Sequence, residues 1–130
     1  MTEINIIIPT YNEENNIVKL LKAINKKLPN SKITIVDDSK INKIELILNK
    51  KKFKTKINYI HRKNSRGRGS AVLFGFKKGL KKNSNQIFIE MDADFSHNPS
   101  ELIRNIKLFK KMKSDLLIAS RYLPKSKIFN

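Results

Sequence analysis

The chain has 130 residues, with 28 Lys and Arg against 11 Asp and Glu, a formal charge of +17 with histidine neutral. That length bounds it to one domain or part of one, and with 39% hydrophobic and 30% charged residues it can bury a core and is no disordered tail. The lack of cysteine excludes a disulfide framework, a thiolate metal site and a cysteine nucleophile. Apolar runs such as Ile6-Ile7-Ile8 fall far short of the roughly 20 residues that span a bilayer. The opening Met1-Thr2-Glu3-Ile4-Asn5 has neither the basic stretch nor the apolar core of a signal peptide, so a cytosolic chain is expected. The charge has two readings: lysines on solvated helix faces, or attraction to a polyanion such as nucleic acid, an anionic membrane or a phosphorylated substrate.

Ile4 to Ile8 reads as a buried strand, ended by Pro9 and the polar Thr10-Tyr11-Asn12, because β-branched residues suit a sheet covered on both faces. From Glu13 to Leu28 the apolar Ile17, Leu20, Leu21, Ile24 and Leu28 fall on one helical stripe, with Lys19, Lys22, Lys26 and Lys27 off it. Lys32 to Val36 predicts a second strand running into Asp37-Asp38-Ser39, Lys43 to Lys51 a helix, and Lys56 to His61 a third strand. Arg66-Gly67-Arg68-Gly69 opens a helix to Lys82, whose inward face is expected to carry Val72, Leu73, Phe76 and Leu80. Gln86 to Met91 predicts a fourth strand and Pro99 to Lys113 a helix with Leu102, Ile103, Ile106 and Phe109 inward. Pro99 suits a first turn, where its missing N–H costs no bond. Asp115 to Ala119 predicts a fifth strand.

This alternation predicts an α/β fold, a parallel nucleotide-binding sheet with helices on both faces. In such sheets ligands gather at the carboxyl ends of the strands. The polar clusters all sit at such ends: Thr10-Tyr11-Asn12-Glu13, Asp37-Asp38, Arg66 to Gly69, Asp92-Ala93-Asp94 and Arg121-Tyr122. Carboxylates two apart can hold a hard divalent cation that bridges phosphates, or can simply form turns and caps. Asp37-Asp38 can take a ribose or base donor, or a turn. Gly67-x-Gly69 can aim amides at phosphate, but Val72 stands where the third glycine of a dinucleotide fingerprint belongs. The only histidines, His61 and His97, give no zinc pattern.

Together, Ile6-Ile7-Ile8-Pro9-Thr10-Tyr11-Asn12-Glu13, Ile35-Val36-Asp37-Asp38, Arg66-Gly67-Arg68-Gly69-Ser70-Ala71, Met91-Asp92-Ala93-Asp94-Phe95-Ser96-His97-Asn98-Pro99 and Ser120-Arg121-Tyr122 resemble the ordered blocks of the family 2 glycosyltransferases, and among them the dolichyl- and polyprenyl-phosphate mannosyltransferases. The resemblance implies an A-type glycosyltransferase fold, similar to the Rossmann fold. It further implies an inverting transfer of mannose from GDP-mannose to a polyprenyl or dolichyl phosphate, with Mg2+ or Mn2+, at the cytoplasmic face of a membrane that the chain touches peripherally. A UDP-sugar donor or a carbohydrate acceptor is the alternative within the family. An inactive fragment or a basic nucleic-acid-binding module is the alternative outside it; no aromatic stacking platform or helix-turn-helix supports the latter, and no nucleic-acid partner is expected.

Carried over by position, Pro9, Tyr11, Glu13, Val36 and Asp38 would line the nucleotide, and Asp92, Ala93 and Asp94 would meet the sugar diphosphate. Asp92, Asp94 and Ser96 would hold the metal, with Ser96 where members carry glutamine or serine. Arg121 would face the phosphates, and Asp94 and Arg121 would be catalytic. Two departures stand out: Ser39-Lys40-Ile41-Asn42 replaces the usual Gly-Ser-Pro-Asp turn, and Ala119 replaces a common glycine. Members of the family continue well beyond the Ser-Arg-Tyr block, so residues 1–130 are expected to form the N-terminal, donor-binding part of a single catalytic domain. An incomplete sheet predicts exposed strand edge and self-association.

Overall fold

All four strands expected before Asp92 form in the computed structural model, which describes residues 2–126. In chain order they are β1 (Glu3–Thr10), β2 (Lys32–Asp37), β3 (Lys56–His61) and β4 (Gln86–Glu90), joined by helices α1 (Ile17–Lys27), α2 (Lys43–Asn49) and α3 (Arg68–Lys82). They make one parallel sheet in the order β3-β2-β1-β4. The chain divides into two compact units, one reaching Pro99 and one from Ser100 onward. The second carries α4 (Leu102–Met112).

The strand order and the handedness of crossovers together place the helices. Steps from β1 to β2 to β3 run in one direction, whereas the step from β3 to β4 runs back past both strands. Right-handed connections therefore put α1 and α2 on one face of the sheet and α3 on the other. Ile6, Ile7 and Ile8 on the inner strand β1 are all fully buried, as are Ile33, Ile35 and Val36 on β2, which requires cover on both faces. On α1 the predicted stripe buries Ile17, Leu20, Leu21 and Ile24. Asn25 of α1 accepts from both the amide (3.0 Å) and the hydroxyl (2.8 Å) of Thr55, just before β3.

The α3 face differs from its sequence expectation. Leu73 and Leu80, expected inward, are 52% and 51% exposed, and the buried positions are Ala71, Val72, Gly75 and Gly79. The stripe at spacing four is made of small residues, which hydrophobicity does not flag, and they let the helix axis approach the sheet. A Cβ at Gly75 would stand 2.6 Å from Ile7 Cγ2, and one at Gly79 would stand 2.5 Å from Phe88 Cε1. Beneath this contact lies a short polar relay. Thr34 Oγ1 donates to Asn5 Oδ1, Asn5 Nδ2 to Gln86 Oε1, and Gln86 Nε2 to the Gly79 carbonyl, each at 3.0 Å. Asn5 is fully buried, so these bonds replace the water it loses.

In the second unit Leu102 and Ile106 of α4 are buried, whereas Ile103 and Phe109 are only partly so. The expected strand at Asp115 to Ala119 does not form. No ladder reaches it among the described residues, and Leu116 and Ile118 are 74% and 76% exposed. A short apolar run such as Leu116-Leu117-Ile118 makes no strand without a partner for its amides. No helix among the described residues is long and apolar enough to cross a membrane.

Gly75→Ala should lower stability by about 1–3 kcal/mol, since its methyl group would be forced into packed side chains. Gly69→Ala, whose Cβ would meet nothing within 4 Å, should shift stability by no more than ~1 kcal/mol. Urea unfolding of the two variants measures the contrast.

Candidate functional site

The carboxyl ends of all four strands are knitted together one residue beyond the sheet. Asp38 N–H donates to the Thr10 carbonyl (3.0 Å), Arg62 N–H to the Asp37 carbonyl (2.8 Å) and Met91 N–H to the Ile7 carbonyl (3.1 Å). Between β1 and β4 the chain leaves β1 for one face and arrives at β4 from the other. Such a switch point opens a crevice outside the strand ends. A cleft of about 220 Å³ lies there, lined by Pro9, Tyr11 and Glu13 after β1, by Asp92, Ala93 and Asp94 after β4, and by Arg68 at the start of α3. Six of the residues singled out in the sequence thus meet in one place. A larger hollow of about 480 Å³ flanks α2 and β3, lined by residues such as Glu45, Lys51 and Phe53, and holds none of them.

The two acidic pairs have different environments. Asp37 is fully buried. Its Oδ1 accepts from Thr10 Oγ1 (3.0 Å), from the Ser39 amide (3.1 Å) and from the Ser39 hydroxyl (2.5 Å), and its Oδ2 accepts from Tyr59 OH (2.7 Å). The turn alternative is therefore realised at Asp37. Asp38 accepts two bonds from Arg62, from Nε to Oδ1 and from Nη2 to Oδ2, both at 2.6 Å. The Arg62 and Asp38 side chains are 8% and 4% exposed, so this fork-on-fork pair is closed to water and geometrically specific. Arg62 Nη1 also donates to Ser70 Oγ at 2.8 Å, fastening the first turn of α3 to the ends of β2 and β3.

In the Asp92-Ala93-Asp94 segment the carboxylates face the cleft. Asp92 Oδ1 accepts from Arg68 Nε at 2.7 Å. The Asp92 amide donates to His97 Nδ1 at 3.0 Å, which fixes the imidazole with that nitrogen unprotonated. Asp94 Oδ1 accepts from the Ser96 amide at 3.0 Å. Hydrogen bonding by Ser96, its hydroxyl first and its amide second, holds the Asp94 carboxyl below the ordinary range. Asp94 is thus a carboxylate at neutral pH. Two non-glycine residues with positive φ border the cleft, Asn12 at 56° and Phe95 at 64°. Such backbone persists only where its surroundings enforce it, and the Asn12 amide is tied to Ser39 Oγ at 2.8 Å. The Arg66 guanidinium lies 4.5 Å from the Tyr11 ring centre, a cation–π stack.

Of the other expected site residues, Val36 is fully buried on the α3 face, within 3.4 Å of a Cβ built at Gly75. Ser96 is exposed and bonded to Asp94. Arg121 is exposed and belongs to the unit that begins at Ser100. Sequence reasoning did not single out Arg62, Tyr59 or the side chain of Arg68, and weighed His97 only as a zinc ligand. The Arg66-Gly67-Arg68-Gly69 run was the available signal for Arg68.

Residues 5–130 match the family model for glycosyl transferase family 2. The chain belongs to that family. Its relatives include the dolichol-phosphate mannosyltransferase of Pyrococcus furiosus, 34% identical over 98% of this chain and 36% of the relative. They also include the polyprenol monophosphomannose synthase of Mycolicibacterium smegmatis, 33% identical over 96% of this chain and 47% of the relative. A third is the undecaprenyl-phosphate mannosyltransferase of Micrococcus luteus, 32% identical over 95% of this chain and 50% of the relative. This family 2 chain therefore spans half or less of the length of these relatives. Its fold is similar to the crystal structure of Staphylococcus aureus TarS 1-349, with a TM-score of 0.65, 24% identity, and 98% of this chain and 38% of that one covered.

Two outcomes test this knitted edge of the family 2 fold. Burial first, and then the bond to Asp37, push the Tyr59 phenol far above its ordinary value of 10.0. The unfolded chain therefore ionises first as pH rises. The stability that this neutral phenol confers is complete below pH 10 and declines above it; Tyr59→Phe should flatten that alkaline decline in urea midpoints measured from pH 8 to 11. Arg62→Leu, which strands the buried Asp38 carboxylate, should cost about 3 kcal/mol in the same assay at neutral pH.

Proposed function

We propose that this chain supplies the donor-binding part of a transferase that moves mannose from GDP-mannose to a polyprenyl phosphate, with inversion, at the cytoplasmic face of a membrane. The observation that carries this proposal is the convergence of Pro9, Tyr11, Glu13, Asp92, Ala93 and Asp94 on the cleft at the switch point, in a family 2 chain whose relatives are named as mannosyltransferases of polyprenyl phosphates.

The donor set suits a hard divalent ion. Asp92 and Asp94 offer carboxylates and Ser96 a hydroxyl, the oxygen ligands that Mg2+ and Mn2+ take while keeping waters of their own. Among the described residues no group of three His, Cys, Asp or Glu comes together, so water and substrate oxygens would have to complete the shell. When bound, such a cation neutralises charge on the departing nucleoside diphosphate.

The chain's own residues define the rest. Tyr11, with Arg66 against its ring, gives the nucleotide a flat, polarizable wall. Arg68, reaching into the cleft, can neutralise phosphate oxygens, and so can Arg121 if substrate brings it there. A phosphate monoester acceptor is already anionic near neutral pH and needs no general base. A sugar hydroxyl would instead need a positioned base. Exposed lysines, such as Lys19, Lys22, Lys26 and Lys27 along α1, would favour an anionic membrane surface.

Thermal melting checks the donor. GDP-mannose with Mn2+ at 100 times its dissociation constant should stabilise the chain by about 2.7 kcal/mol, and Asp94→Ala should abolish the gain. UDP-sugars with Mn2+ in the same assay should give a smaller gain; an equal or larger one would assign a uridine donor instead.

A further inference from the structure

Arg68 sits in the cleft on a carboxylate that a cation would also need. It is the first residue of α3, set there by Gly67, whose φ of 126° is open to glycine and strained for other residues. From this position Nε contacts Asp92 Oδ1 at 2.7 Å and Nη2 pairs with Glu90. One guanidinium thus spans the carboxylates at and just beyond the end of β4.

The contrast with Arg62 is informative. Arg62 grips Asp38 with both prongs of one fork, and both side chains are closed to water. Arg68 divides its prongs between two carboxylates, with its side chain 52% exposed and that of Asp92 29% exposed. Exposed pairs of this kind contribute little and open readily, whereas the closed pair does not. The same strand-end layer therefore holds one permanent arginine–carboxylate pair and one exchangeable pair. Asp92 needs a positive partner in either case, because Glu90 and Asp94 lie beside it in sequence, and a divalent ion and a guanidinium cannot both sit on the same oxygen.

We infer that Arg68 is an exchangeable counter-ion, neutralising Asp92 in the free chain, yielding it to the divalent cation, and then turning to the phosphates of the nucleotide. This rests on the cleft being a metal and nucleoside diphosphate site. Its consequence is coupling. The cation alone competes with Arg68, while the nucleotide gives the displaced guanidinium a new partner, so each ligand strengthens the other by the same factor. Arg68 is in this sense a regulator of cation binding and a contact to phosphate; it is not a metal ligand.

The test is titration of the 130-residue chain with MnCl2, followed by calorimetry and by the electron paramagnetic resonance signal of free Mn2+, with and without GDP. Arg68→Gln should bind Mn2+ alone roughly three- to tenfold more tightly, or ~0.7–1.4 kcal/mol at 1.4 per decade. It should also lose most of the factor by which GDP tightens Mn2+. Arg68→Lys, which retains the charge, should stay close to the parent chain, and Asp92→Asn added to Arg68→Gln should cancel the gain. Equal or weaker Mn2+ binding by Arg68→Gln, while the parent binds measurably, overturns the inference and leaves the metal site standing. Arg68→Lys behaving like Arg68→Gln also overturns it. Failure of both parent and Arg68→Gln to bind Mn2+, with or without GDP, overturns the metal site itself and this role of Arg68 with it.

Discussion

Gly75 and Gly79 set how closely α3 lies on the sheet, and the rest of the strand-end layer follows from that distance. With no Cβ at either position, Ile7 and Phe88 fill the space a methyl group would need. The helix start, with Gly67, Arg68 and Ser70, is thereby brought to the carboxyl ends of the strands. Ser70 is bonded to Arg62 beyond β3, and Arg68 to Asp92 beyond β4. Side chains larger than glycine would lift the helix or displace its neighbours. The cleft between β1 and β4 depends on a packing feature about two to three helical turns along α3 from Arg68.

Charge is allotted unevenly along this edge. Asp37 and Asp38 are consumed by the structure: the first satisfies Thr10, Ser39 and Tyr59, and the second holds Arg62. Asp92 and Asp94, by contrast, line the cleft and can offer oxygen to a ligand without breaking the sheet's end. The net charge of +17 therefore conceals a local acidic site. Most of the lysines lie elsewhere, including the exposed faces of α1 and α3.

The strands were legible because isoleucine and valine runs bounded by polar turns admit little else, and the blocks around them carried the family. The side of the sheet on which the cleft lies was legible as well, since ligands gather at strand carboxyl ends; that the segments after β1 and β4 are neighbours follows from the strand order, which the pattern did not give. Sequence patterning placed Val72 on the inward face of α3 but missed Ala71, Gly75 and Gly79, because a stripe of small residues has no hydrophobic signature. It also could not separate Asp37 and Asp38 from Asp92 and Asp94: all four are acidic residues at strand ends, and only the partners supplied from distant segments, Thr10, Tyr59 and Arg62, distinguish a structural carboxylate from an available one. The Asp115 to Ala119 segment shows the opposite failure. Its composition suits a strand, but pairing is a property of two segments, and among the described residues it has none.

The central claim is that the cleft between the ends of β1 and β4 takes a nucleoside diphosphate together with a divalent cation. Paramagnetic broadening of amide signals in an isotope-labelled chain, with substoichiometric Mn2+ and GDP, locates that cation directly. The account predicts strongest broadening at Tyr11, Glu13, Arg68 and Ala93 to Ser96, with little effect along the lysines of α1. Broadening centred on the hollow beside α2 and β3, or spread evenly over the surface, would contradict it.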